Sequence, residues 1–232
     1  MPTVVFASPK GGVGKSTSAV VLATELAQKG AAVTVIDADP NHPVSHWAKR
    51  PGCPEALTVI GDISEETIID TIEDASARTA FFVVDLEGTA SMTVAYAISR
   101  ADLVVIPVQG SQLDAAEAAK AIRLIRQQEK AFARRIPYAI LFTRTSTAIR
   151  PRTFQHIRRE FSEHDVPAFT TQMHERDAFR AIFSFGGTLE LLDPTQVGNV
   201  AAAVNNARAF ASEVIAKLRE AMHETAPAEA AF

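Results

Sequence analysis

The segment Lys10-Gly11-Gly12-Val13-Gly14-Lys15-Ser16-Thr17, set directly after the apolar run Val4-Val5-Phe6-Ala7, constrains this chain more than any other feature. A glycine-rich turn that leaves a strand and opens a helix aims backbone N–H groups and the positive helix end at one point, an arrangement suited to a nucleotide's phosphates. Lys15 adds a point charge, and the Ser16 hydroxyl is placed to ligate Mg²⁺. All eight residues from Lys10 to Thr17 are therefore candidate nucleotide contacts. The strict phosphate-loop pattern wants glycine five residues before Gly14; Pro9 stands there, so the loop deviates from it.

Apolar runs of strand length recur at Thr3 to Ala7, Ala32 to Asp37, Phe81 to Asp85, Leu103 to Val108 and Tyr138 to Thr143, with helically spaced stretches between them. This alternation predicts an α/β fold: a doubly wound, mostly parallel sheet flanked by helices, in the manner of phosphate-loop NTPases. Helices are expected from Ser16 to Lys29, with Val20, Ala23, Leu26 and Ala27 inward and Gly30 as the stop. A second is expected from Ser111 to Arg126, with Leu113, Ala116, Ile122 and Ile125 inward. Phe169 to Met173 is a weaker strand candidate. The alanine-rich stretch from Gly198 to His223 repeats Phe210, Val214, Leu218 and Met222 at four-residue steps, as a helix docked on the domain would. The domain reading is one unit over 1–223, with 224–232 as a disordered acidic tail.

Ligands of an open parallel sheet gather at the carboxyl ends of its strands, and here those ends carry carboxylates. Asp85 closes a buried apolar run, which is costly unless it organises a cation, so it reads as a metal-shell residue. Position alone sends Thr143, Arg144 and Met173 toward the adenine ring.

Lys10 before Gly-Gly-Val-Gly-Lys-Ser resembles the signature lysine of the deviant Walker ATPases, the ParA/MinD group. The resemblance implies an ATPase whose nucleotide lies between two subunits, with Lys10 reaching the partner's phosphates and acting in catalysis with Lys15. Asp37-Ala38-Asp39-Pro40 resembles the group's first switch, which implies that Asp39 orients the attacking water and that Asp37 helps hold Mg²⁺. Ser45-His46-Trp47 after it looks like small ParA partition ATPases, and the blocks Met173 to Phe179 and Gly186 to Leu189 resemble partition and conjugative-transfer members. Two departures stand out. Asn41 replaces the usual glutamine, and Asp85-Leu86-Glu87-Gly88 lacks the second switch's usual proline; Gly88 can still offer its N–H to the γ-phosphate, while Glu87 bears on the hydrolysis rate.

Charge is distributed unevenly. Residues 120–160 hold eleven basic side chains against two acids, so with a net charge of −4 the remainder carries −13. Such asymmetry suggests a surface for a polyanion. Arg150, Arg152, Arg158 and Arg159, with Arg176 and Arg180 further on, are the candidate DNA contacts, of phosphate-binding type and without base-reading context. The resemblance implies non-specific DNA binding by an ATP-bound homodimer, release on slow hydrolysis, and a ParB-like or adaptor partner that stimulates it. It also implies a role in positioning a plasmid, chromosome region or protein cluster. With the lone Cys53, no secretion signal and no apolar run of membrane-span length, a cytoplasmic, nucleoid-associated protein is expected, with no membrane partner. A MinD-like membrane-cycling regulator and a metabolic ATP-dependent synthetase of the same fold stay open as alternatives. His42 and His46, split by Pro43 and lacking a third ligand, read as loop residues rather than a metal site.

Overall fold

The computed structural model describes residues 1–76, 78–88, 91–148 and 151–225. Seven strands among them form one sheet: β1 (Thr3–Phe6), β2 (Val33–Ala38), β3 (Leu57–Ile60), β4 (Phe81–Leu86), β5 (Leu103–Val108), β6 (Tyr138–Thr145) and β7 (Met173–His174). They lie in the order β3-β2-β4-β1-β5-β6-β7, and every pairing is parallel. The doubly wound parallel sheet expected from the alternation is thus what forms.

Strand alternation divides the apolar residues between two layers. Val4 and Phe6 of β1, with Val33, Val35, Val83, Leu103 and Val105, face α1 (Lys15–Gln28), α2 (Pro43–Ala48), α7 (Asp177–Phe185) and α8 (Val200–Thr225). Val5, Ile36, Val84, Val104 and Ile106 face α3 (Ile68–Ser76), α4 (Met92–Ser99), α5 (Gln112–Phe132) and α6 (Arg152–Glu163). Both faces are covered, which is why the strands read as near-continuous apolar runs rather than alternating ones. Helix α1 is buried from Ser18 to Ala27 because the sheet, α7 and α8 surround it. Gly30 ends it in a left-handed conformation (φ 84°), donating its N–H to the Ala27 carbonyl at 2.9 Å.

Three expectations need correction. The face assigned to α5 is rotated: Leu113 is 75% exposed and Ala116 is exposed, whereas Asp114, Ala115, Ala118, Ala121, Ile122 and Ile125 turn inward. The strand expected over Phe169 to Met173 is broken. The Phe169 N–H still reaches the Ile140 carbonyl at 2.8 Å, but the Thr170 and Thr171 N–H groups turn to the Glu213 carboxylate (2.6 and 2.7 Å), and pairing resumes only at Met173. A side chain from α8 here competes with the sheet ladder and wins. In α8, Phe210, Val214 and Leu218 are buried as expected, while Met222 is 62% exposed. That helix runs to Thr225, and residues 226–232 of the expected tail lie outside the described residues.

One buried acid in this layer carries a pH signature. Glu25 of α1 is only 3% exposed, and its carboxyl is pushed up to about 7, first by burial and then by Glu190, against the pull of Arg208 and Lys29. A carboxyl whose folded pKa lies above its unfolded value binds more protons when folded, so its contribution to stability falls as pH rises from about 4.5 to about 7. Glu25→Gln is expected to remove part of that fall, leaving the variant more stable than wild type at pH 8 and closer to it at pH 4.5. Urea denaturation at the two pH values checks this; an unchanged difference between them would contradict it.

Candidate functional site

The phosphate loop is held open by side chains from neighbouring strand ends. Gly12 and Gly14 both take left-handed backbone (φ 73° and 96°), the conformation that lets the chain turn from β1 into α1. The Thr143 hydroxyl at the end of β6 donates to the Val13 carbonyl at 2.7 Å, and the Gln109 amide after β5 donates to the Gly12 carbonyl at 3.1 Å. With those carbonyls turned outward to their donors, the loop's N–H groups are left for a ligand.

Opposite the loop stand the carboxylates. Asp37 and Asp85 sit side by side in register on β2 and β4 and are both fully buried. Oδ2 of Asp37 accepts from the Ser45 N–H at 2.7 Å, but its Oδ1 and both oxygens of Asp85 have no hydrogen-bond partner. Burial, with Asp37 and Asp39 nearby, pushes the Asp85 carboxyl up to about 7, although the Ser16 hydroxyl and Lys15 oppose the shift. Orphaned buried oxygens are rare and point to a missing ligand. Three carboxylate oxygens beside the Ser16 hydroxyl are the hard, oxygen-only donor set that Mg²⁺ takes, so the residues present fit that ion.

Lys15, 6% exposed, has its ammonium pKa lowered by burial, against the pull of Asp85, Asp39 and Glu87. Its Nζ donates to the Lys10 carbonyl at 3.2 Å, a contact that a phosphate oxygen could replace. Asp39 is partly exposed on the rim, where Oδ1 accepts from the backbone N–H and side-chain amide of Asn41, each at 2.9 Å. Gly88 closes the other side so tightly that a Cβ there would stand 3.3 Å from the Gly11 nitrogen and the Pro9 carbonyl. Lys15, Ser16 and Thr17 with the loop glycines, Asp39, Asn41 and Gly88 bound a cleft of about 410 Å³.

Arg144, at φ 50°, lines both this cleft and a shallow neighbour formed by Thr17, Thr143, Met173, Glu175 and Arg176, the region expected to meet the adenine. The Arg176 Nε is buried without a hydrogen-bond partner, and this arginine and Arg180 line the shallow cleft. Arg180 is engaged within the chain, 2.9 Å from Glu175 and 3.8 Å from Asp177. Arg152, Arg158 and Arg159 are exposed on α6, whose Phe154, Ile157 and Phe161 pack inward; Arg150 lies outside the described residues.

Sequence reasoning missed two residues. Lys10, the expected cross-subunit lysine, lies 2.5 Å from Asp114 within its own chain, and the other Asp114 oxygen accepts from the Ser111 hydroxyl at 2.5 Å. The Ser111-x-x-Asp114 spacing at a helix start was the available signal. Ser91 caps α4 through the Val94 N–H, and Trp47 is buried with its indole N–H on the Gly187 carbonyl at 3.0 Å; both are structural. Among the described residues no group of three or more His, Cys, Asp or Glu side chains is placed to hold a metal ion.

The family model for the VirC1 protein matches residues 1–225. The chain belongs to the VirC1 family. It is 46% identical over 222 residues to the protein ParA of Rhizobium radiobacter, an alignment covering 96% of this chain and all of the relative. In fold it is similar to an ATP complex of McdA from Cyanothece (TM-score 0.74, 17% identity, 96% of each chain). The MinD cell division protein of Aquifex aeolicus is similar too (TM-score 0.68, 19% identity, 93% of this chain and 98% of that one). The VirC1-family chain therefore has the ParA/MinD-type phosphate-loop NTPase fold.

Asp85→Asn would remove a charge that burial disfavours. In the nucleotide-free protein at pH 8 it is expected to gain roughly 1 to 4 kcal/mol, the upper figure being the full pKa shift at about 1.4 kcal/mol per unit. Mg²⁺-ATP is expected to raise the melting temperature of wild type and to leave that of the variant unchanged. Calorimetric scans with and without Mg²⁺-ATP read both effects.

Proposed function

We propose that this VirC1-family chain is a ParA-type partition or positioning ATPase. It binds ATP with Mg²⁺ in the cleft, pairs with a second copy across the nucleotide, and holds DNA non-specifically as that dimer. Slow hydrolysis, stimulated by a ParB-like or adaptor partner, releases it to reposition a plasmid, chromosome region or protein cluster. The observation that carries the reading is the cleft bounded by Gly11, Gly12 and Gly14 to Thr17 of the loop together with Asp39, Glu87 and Gly88, beside the buried, orphaned carboxylate oxygens of Asp37 and Asp85 at the adjoining strand ends. The 46% identity with a protein named ParA and the resemblance of the switch motifs support the assignment of the cycle.

Each residue's part follows from its surroundings. Ser16, Asp37 and Asp85 would hold Mg²⁺, which neutralises charge on the phosphate oxygens. Lys15 exchanges the Lys10 carbonyl for phosphate, and its buried position makes that charge strong. Asp39, on the rim and tethered by Asn41, orients the attacking water. Gly88 offers its N–H where a Cβ would crowd the Gly11 nitrogen and the Pro9 carbonyl at 3.3 Å. Glu87 beside the cleft opposes a build-up of negative charge, in keeping with slow turnover.

Arg152, Arg158 and Arg159 are the DNA contacts this reading favours, because they share one helix and form no ion pair among the described residues. The apolar face of α8 is occupied, with Phe210 and Val214 buried in the core, which favours DNA over a lipid surface as what the dimer holds. The reading puts the protein in the cytoplasm, on the nucleoid.

If each subunit neutralises about three phosphates, the dimer's salt slope is about −5 and a single subunit's about half that. Duplex DNA of arbitrary sequence is expected to bind with ATP and weakly with ADP, and Lys10→Ala is expected to abolish the ATP-dependent part. Neutralising one α6 arginine should reduce the dimer's slope by about 2, one contact per subunit. Fluorescence anisotropy across a salt series checks all three; binding independent of nucleotide would contradict the switch.

A further inference from the structure

Lys10 is the residue that the dimer reading sends to a second subunit, yet in the single chain it is already engaged. Its ammonium lies 2.5 Å from Oδ1 of Asp114, whose side chain is 2% exposed, while the lysine side chain is 37% exposed. The second Asp114 oxygen takes the Ser111 hydroxyl at 2.5 Å, and Ser111 Oγ in turn accepts the Asp114 backbone N–H at 3.3 Å. Asp114 is therefore a desolvated carboxylate at the start of α5, satisfied by one neutral hydroxyl and one cation. Removing the cation alone would strand a buried charge, an arrangement that protein interiors strongly disfavour.

The geometry points to Asp114 as a positioning residue that stores Lys10 within its own subunit until a more concentrated negative charge is offered. This rests on the dimer reading for the destination of Lys10, but the storage itself is a property of the single chain. Transfer is an ion-pair exchange in which one carboxylate is given up for the phosphates of the partner's nucleotide. ATP, with one more phosphate than ADP, competes better with Asp114. The carboxylate therefore raises the ATP level needed for pairing and widens the gap between ATP and ADP. The backbone of Lys10 adds to the coupling: its carbonyl is the acceptor for Lys15 Nζ, and its carbonyl carbon lies 3.5 Å from where a Cβ on Gly88 would stand. A phosphate that draws Lys15 away loosens the segment that carries Lys10.

Asp114→Asn keeps the side-chain shape and removes the charge. Two readouts are taken on the full chain. Brief acetylation of the nucleotide-free protein, read by mass spectrometry at Lys10, is expected to be about tenfold faster in Asp114→Asn than in wild type. Sedimentation across an ATP and an ADP titration is expected to show dimers at about tenfold lower ATP in the variant, with a smaller ATP-to-ADP ratio. Ser111→Ala, which strips the other support from Asp114, serves as a second variant, with Lys10 labelled more slowly than in wild type. Equal labelling of Lys10 in wild type and Asp114→Asn, with unfolding transitions unchanged, would overturn the proposal. So would a variant that needs more ATP to pair although it is labelled faster. If wild type and variants form no ATP-dependent dimer while the labelling difference persists, the dimer reading fails and the storage contact stands.

Discussion

Two buried carboxyl groups at one end of the sheet, only partly answered by Lys15 and the Ser16 hydroxyl, are the constraint around which this molecule is arranged. Asp37 and Asp85 close adjacent parallel strands in register, fully buried, with three of their four carboxylate oxygens lacking any hydrogen bond. Burial on this scale costs several kcal/mol per charge after relaxation, and a fold can carry it only if apolar burial elsewhere is ample. Two continuous apolar layers, one on each side of a seven-stranded sheet, provide that margin. On the proposed function, a cation held by these carboxylates would relieve the cost, linking ligand binding to fold stability.

The two lysines of the loop are held differently: Lys15 lies in the field of Asp85, Lys10 in that of Asp114. Lys15 is anchored at the first residue of α1 and turns to a backbone carbonyl of its own loop. Lys10 precedes the glycine turn and reaches across to α5. Strand β6 joins these features to the basic face: Thr143 braces the loop, Arg144 enters the cleft in a left-handed conformation, and α6 with its exposed arginines follows. Few residues therefore separate the nucleotide end of the sheet from the surface proposed to meet DNA.

Much of the site was readable in advance because its parts are local. The phosphate loop, Ser16 and the carboxylates at Asp37 and Asp85 follow from strand, turn and helix signals a few residues apart. The short β3 and the helices between it and β5 were less visible, since amphipathic stretches of six to nine residues carry little periodic signal. The inward face of α5 was misjudged because its buried stripe contains alanines and an aspartate, while Leu113 at its start is left in solvent. The break after Phe169 depends on Glu213, some forty residues away on α8.

The sequence by itself determined the family and the parallel α/β architecture, and pointed to the loop and strand-end residues gathered at the candidate site, because each rests on spacing within one strand-turn-helix unit or on apolar runs of strand length. Tertiary structure alone decided that Arg176 and Arg180 border the shallow cleft lined by Thr143 and Met173 and that Lys10 is paired with Asp114. The pair joins residues 104 positions apart. No local propensity encodes such a contact, which exists only because the sheet sets the loop after β1 beside the helix after β5.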